Sequence, residues 1–173
     1  QRRLADARAS EDVRRNIGAV AEAVVAAHRN GQPVIVFTGA HLIKNGLGPL
    51  LADLVNRRIT TLVAGNGATA IHDFELAMIG QTSENVPAAL GQGSFGMAYE
   101  FAYFNTALRL GHQQKLGFGE SLGRCICDEG FRGQVLAGKE DSPGTFQHPE
   151  TSVLAACYRN GVPCTIHAGI GTD

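Results

Sequence analysis

The sequence predicts an α/β fold built on a parallel sheet flanked by helices, and three stretches carry that expectation. Each is a run of β-branched and apolar residues that breaks off into a glycine-rich polar segment. The first is Val34 to Phe37 before Thr38 to Gly46, and the second is Ile59 to Ala64 before Gly65 to Asp73. The third is Val162 to His167 before Ala168 to Asp173. Short apolar runs without polar alternation suit strands covered on both faces, as parallel sheets require. In such sheets ligands bind at the carboxyl ends of the strands, where these segments would lie. Their convergence predicts a site for an extended polar ligand, with a nucleotide as the leading candidate.

The remaining elements follow from periodicity and stop signals. Glu11 to His28 reads as a helix because Val13, Ile17, Val20, Val24 and Ala27 recur at helical spacing, and Asn30-Gly31 ends it. Leu47 to Arg58 carries Leu50, Leu51, Leu54 and Val55 on one side, and a third helix runs from near Ala68 to Gly80. Strand, loop, helix and strand in that order imply a right-handed crossover. Ser83 is a candidate cap for a short helix, and the glycine loop Gly91 to Gly96 precedes a helix from Met97 to Leu110. Leu116 to Cys127 is helical in pattern, although Gly117, Gly119 and Gly123 weaken it. Asp128 to Phe146 reads as a mobile polar excursion, after which His148-Pro149-Glu150 opens a helix to Arg159 and Asn160-Gly161 closes it.

At 173 residues the chain is expected to form one domain, 1–173. Its last residues, Gly169 to Asp173, stop within a loop, so a further C-terminal portion is expected. A net charge of −1 without a basic stripe argues against nucleic acid as a partner. No apolar run approaches a membrane span and no signal-peptide core is present, so a cytoplasmic protein without membrane contact is expected. The four cysteines, Cys125, Cys127, Cys157 and Cys164, do not match zinc-ligand spacings and read as buried thiols, with no metal expected.

Two clusters of polar residues stand out. Thr38 to Gly46 lacks both the strict dinucleotide fingerprint and the Walker lysine–serine pair, yet it ends at a helix start, where free N–H groups and the dipole favour an anion. Gly39 and Gly46 would let backbone approach a phosphate or ribose while Lys44 or Asn45 donates; the alternative is a left-handed turn that needs glycine for itself. The second cluster is Gly65, Asn66 and Gly67 followed by His72, Asp73 and Glu75. His72 has the pKa range for proton transfer, and Asp73 and Glu75 could orient it or hold a cation. The plain alternative makes both acids ordinary residues near a helix N-terminus. Asp173 could take a ribose or an amine, or be a loop aspartate, and His41 and His167 also suit structural roles.

At these segments the sequence resembles the deoxyhypusine synthase family and its bacterial relatives. The resemblance rests on Val34 to Gly46, on Leu62 to Gly67 with Asp73 beyond it, on His148 to Val153, and on Asn160 to Pro163 through Gly171 to Asp173. It implies a Rossmann-like fold that binds NAD, assembled as a dimer or as a tetramer of dimers with sites at a subunit interface. NAD would take a hydride from spermidine, and an aminobutyl group would pass to a lysine or another amine. The resemblance implies that Thr38, Gly39, His41, Lys44 and Asn45, with Gly65, Asn66 and Gly67, hold NAD, and that Asp173 touches its ribose or nicotinamide side. His72 and Asp73, with Glu75 beside them, would meet the polyamine amines. The family's catalytic lysine falls beyond Asp173. The stretch Ala64 to Ala68 followed by Ile71 to Asp73 also resembles archaeal-type ornithine cyclodeaminases, which release ammonia from an amino acid. A non-catalytic nucleotide-binding domain is the third expectation.

Overall fold

A computed structural model describes residues 9–83, 85–96, 99–138 and 144–169. The chain forms two compact units, one running to Val34 and the other beginning at Ile35.

The first unit is the helix α1, Glu11–Arg29. Ser10 caps it by accepting from the Val13 N–H, Glu11 and Asp12 sit in its first turn, and His28 and Arg29 sit in its last. All three features satisfy or complement the helix ends. Val13, Ile17 and Val20 are exposed, and no residue of this helix is buried.

The second unit holds the sheet. Its strands are β1, Ile35–Thr38; β2, Leu62–Asn66; and β3, Cys164–His167. They are parallel in the order β1-β2-β3, with Thr38 level with Gly65 and Gly65 level with Ile166. That register brings the three strand ends to one rim. Between β1 and β2 lie the short helix α2, Ala40–Lys44, and α3, Gly48–Asn56; α4, Gly67–Ile79, follows β2 directly. Asn66 caps α4 by accepting from the Thr69 N–H at 2.9 Å, and Gly80 ends it in the left-handed conformation at φ 71°.

The rest of the unit is helical: α5, Val86–Gln92; α6, Tyr99–Gln113; α7, Phe118–Cys127; α8, Glu129–Leu136; and α9, Val153–Asn160, preceded by a 3-10 turn at Pro149–Thr151. Two apolar clusters form. One gathers Phe74, Met78, Phe104, Leu122, Phe131 and Leu154, with Phe74 edge-on to Phe104 and to Phe146 at 5.5 and 5.0 Å between ring centres. The other gathers Ile43, Leu51, Val55, Val63, Val153 and Cys157. Helix α9 contributes to both.

Several expectations are corrected. Covering on both faces holds for β2, where Val63, Ala64 and Gly65 are all buried, but Phe37 of the edge strand β1 is 80% exposed. The segment 128–146 is not a polar excursion. Asp128 caps α8 by accepting from the Phe131 N–H at 2.9 Å, which turns Phe131 and Val135 into the core, and Phe146 is buried as well. Residues 139–143 of that stretch lie outside the described residues. Asn85, not Ser83, caps α5, because its side chain accepts from the Ala88 N–H. The glycines of α7 are required by close packing: a Cβ on Gly119 would run into the Cys164 carbonyl oxygen, and one on Gly123 into that of Leu154.

That crowding generates a pair of outcomes. Gly119→Ala should lower unfolding stability by about 2 kcal/mol or more, because backbone atoms must move to admit the methyl group. Gly117→Ala, where an added Cβ meets no atom within 4 Å, should change it by less than about 0.5 kcal/mol. Urea denaturation of both variants compares them directly.

Candidate functional site

The site is assembled where β1 and β2 end. Thr38 closes β1, and its carbonyl lies 3.2 Å from the Thr69 hydroxyl, which also lies 2.8 Å from Asn66 Oδ1. Thr69 thereby joins the end of β1 to the start of α4. Glycine at position 65 gives that join room, since a Cβ there would stand 3.0 Å from the Thr69 side chain, a tight contact. Gly67 is the buried first residue of α4. These three positions therefore serve the strand-to-helix junction directly, and the side-chain oxygen of Asn66 is engaged in capping.

The segment after β1 is not an extended loop. Gly39 caps the short α2, His41 and Lys44 lie on it exposed, Asn45 ends it, and Gly46 turns the chain at φ 75°. A Cβ on Gly39 would meet nothing within 4 Å, so backbone at the rim is open to an approaching group.

A cavity of about 320 Å³ opens beside this rim, lined by Lys44 of α2, Ala68, Ile71, His72 and Glu75 of α4, Ser83 and Val86 beyond it, and Phe95, Gly96 and Phe101. His72 and Glu75 are three residues apart, hence on one helix face. Both are 15% exposed, and His72 Nδ1 lies 3.5 Å from Glu75 Oε2. Thr82 stands between them: its hydroxyl donates to Glu75 Oε2 at 2.5 Å and lies 2.5 Å from His72 Nδ1. The structure thus brings Lys44, His72 and Glu75 to one cavity. Thr82, Phe95 and Phe101 were not singled out in the sequence: tight turns at Gly80 and Ser83 return Thr82 to α4, and folding over a longer span brings the two phenylalanines.

Asp73 is elsewhere, and its expected role in meeting a substrate amine is corrected. It lies on the buried side of α4, 2% exposed. Its carboxylate accepts from Ser152 Oγ at 2.5 Å, the Val153 N–H at 2.8 Å and the Leu154 N–H at 3.1 Å. These donors are the cap and first turn of α9, so Asp73 closes the N-terminus of a neighbouring helix. Burial pushes its pKa up to about 6, against the lowering effect of Ser152, Val153 and Leu154. Asp173 lies outside the described residues.

A second cavity, of about 370 Å³, lies at the opposite end of β3, lined by Gly119, Glu120, Cys157, Tyr158, Pro163 and Cys164 among others. The hydrogen bond with Cys157 and then burial push the Cys164 thiol well above its ordinary range, so it stays protonated and is a poor nucleophile. The smaller cavity, at the carboxyl rim with its acid–base pair, is the better candidate. Among the described residues no group of three or more His, Cys, Asp or Glu could hold a metal ion, and no helix is long and apolar enough to cross a membrane.

The parallel strands, their shared rim and the flanking helices define a Rossmann-like α/β fold. Among solved structures the chain is similar to the apo form of ArgZ, an arginine dihydrolase from the ornithine–ammonia cycle in cyanobacteria, with a TM-score of 0.59 and 19% identity. It is also similar to a conserved LOR/SDH protein from Methanococcus maripaludis S2, with a TM-score of 0.51 and 19% identity. The matches cover 95% and 96% of this chain but only 19% and 42% of those proteins, so the chain spans less than half of either. No family model and no curated protein matches the chain.

The buried acid makes stability depend on pH in a defined direction. Asp73 binds its proton more tightly folded, near pH 6, than at its ordinary value of 3.8. Its burial therefore favours the folded state progressively less as pH rises from about 4 to about 6, by a total on the order of 3 kcal/mol. Denaturant unfolding across that range should show this slope in the wild type and not in Asp73→Asn. Equal slopes would remove the buried-acid assignment.

Proposed function

We propose that the chain is the nucleotide-binding part of an NAD-dependent enzyme acting on a small amine-bearing substrate, with an amino acid of the ornithine type ahead of a polyamine. The observation that carries the reading is the convergence of Lys44, His72 and Glu75 on one cavity at the carboxyl rim of the sheet. A parallel sheet offers dinucleotides this edge. The fit is supported by Gly39, whose missing side chain leaves the backbone open there. A cavity of about 320 Å³ suits an amino acid or one end of a dinucleotide, with the rest lying along the rim past Thr38 and Asn45.

NAD, when bound, supplies a hydride acceptor for the amine-bearing carbon. The chain's own residues do the remainder. Lys44 attracts a carboxylate or phosphate, Glu75 pairs with a substrate ammonium, and His72 takes the amine proton that must leave as the hydride does. Phe95 and Phe101 give the cavity an apolar wall. A lysine together with a carboxylate suits an amino acid, which brings a carboxylate as well as ammonium groups, better than a polyamine, which brings only ammonium groups. The names of the structural neighbours favour the same side, since one is an arginine enzyme of an ornithine–ammonia cycle. The deoxyhypusine synthase-like reading, with spermidine as aminobutyl donor, is tested in the same experiment, and sedimentation tests the homotetramer it implies.

Thermal unfolding of the protein with NAD alone, with NAD plus L-ornithine, and with NAD plus spermidine separates these readings. NAD at a hundred times its Kd should stabilise by about 2.7 kcal/mol, and ornithine should add to that shift. A further shift with spermidine instead would favour aminobutyl transfer, and no shift with NAD in any arm would overturn the proposal. Lys44→Ala should weaken NAD binding about tenfold, as measured by calorimetry.

A further inference from the structure

We propose that Thr82 is a positioning residue that sets the proton arrangement of His72, so that the neutral ring carries its hydrogen on Nδ1 and its basic lone pair on Nε2. The inference deepens the proposed role of His72 as a proton acceptor, and it starts from the donor count. A threonine hydroxyl has one proton to give. Here that proton goes to Glu75 Oε2, at 2.5 Å, and an ionised carboxylate has none to return. The hydroxyl oxygen, also 2.5 Å from His72 Nδ1, is left to the imidazole as an acceptor. For the neutral ring, a hydrogen bond to that oxygen requires the hydrogen on Nδ1. The direct Nδ1 to Oε2 separation of 3.5 Å is too long to set the tautomer alone, so the hydroxyl is the connecting group.

The backbone delivers Thr82 to this place. Gly80 leaves α4 at φ 71°, and Ser83 turns the chain again at φ 69°, a conformation rare for residues with a side chain. Between these two turns the chain folds back along the face of α4 that carries His72 and Glu75, and the Thr82 side chain bridges them. Among the described residues, Lys44 and Glu75 are the other charged groups lining the same cavity. A hydroxyl that orients an imidazole for proton transfer plays the part that a buried acid plays in other catalytic histidines, where the wrong tautomer abolishes most of the activity.

Nitrogen NMR of the full chain, labelled at histidine and assigned with His72→Gln, reads the tautomer without any substrate or cofactor. The wild type at mildly alkaline pH should show His72 predominantly as the Nδ1–H form. Thr82→Val, which keeps the shape and loses the hydroxyl, should shift the population toward the Nε2–H form, and Thr82→Ser should restore the wild-type pattern. A wild-type ring found as Nε2–H would overturn the proposal even if the valine variant failed to fold, as would a folded valine variant with unchanged nitrogen signals. Because the measurement needs no NAD, its failure is distinct from a failure of the NAD reading, which the unfolding shifts detect separately.

Discussion

The architecture depends on one buried carboxylate. Asp73 sits on the inner side of α4 and closes the first turn of α9, a helix 80 residues further along the chain, through the Val153 and Leu154 N–H groups and the Ser152 hydroxyl. Ser152 in turn accepts from the Ala155 N–H at 2.9 Å, so the cap and the carboxylate form one network. A buried carboxylate without such donors would be strongly unfavourable, and the donors without it would be an unsatisfied helix end. Each therefore specifies the position of the other. Helix α9 divides its side chains between the two apolar clusters, Leu154 and Ala155 to one and Val153, Ala156 and Cys157 to the other. The Asp73 tie thus holds the element at which the two cores meet.

The same tie orients the working face of α4. With 3.6 residues per turn, fixing Asp73 inward sends His72 and Glu75 round to the side that lines the cavity. The glycines and Asn66 at the strand end perform a supporting task. Gly65 admits Thr69, Asn66 starts the helix, and Thr69 reaches back to the Thr38 carbonyl. The rim is rigid where β2 becomes α4 and open where Gly39 leaves β1. A ligand at this edge would meet a preformed acid–base face on one side and accessible backbone on the other.

Much of this was legible in the residues themselves. The helices at Glu11–Arg29 and Gly67–Ile79 match their apolar periodicity to within a residue or two; β3 lies inside its expected run, while β1 and β2 run on to Thr38 and Asn66, into the segments read as loops. The adjacency of His72 and Glu75 also follows from a spacing of three. By the same geometry Asp73 faces about 100° away from His72, so its separation from the cavity was implicit in the numbering. Grouping all three by nearness in sequence obscured it. Helix α8 was hidden because Gly130 and Gly133 lower its propensity, whereas capping by Asp128 and burial of Phe131 and Val135 outweigh that cost.

By itself the sequence determined the parallel α/β class, its three strands with the longer helices between them, and the rim at which β1 and β2 end. Those properties are encoded by patterns only a few residues long, in β-branched runs, helical periods and turn glycines. The tertiary structure alone decided which acid is a helix cap and which belongs to the cavity, and that Thr82 joins Glu75 to His72. These choices turn on contacts whose partners are distant in the chain or returned by a tight turn. Burial and hydrogen-bond supply at the folded location assign a side chain its role, and neither can be read from its neighbours in sequence.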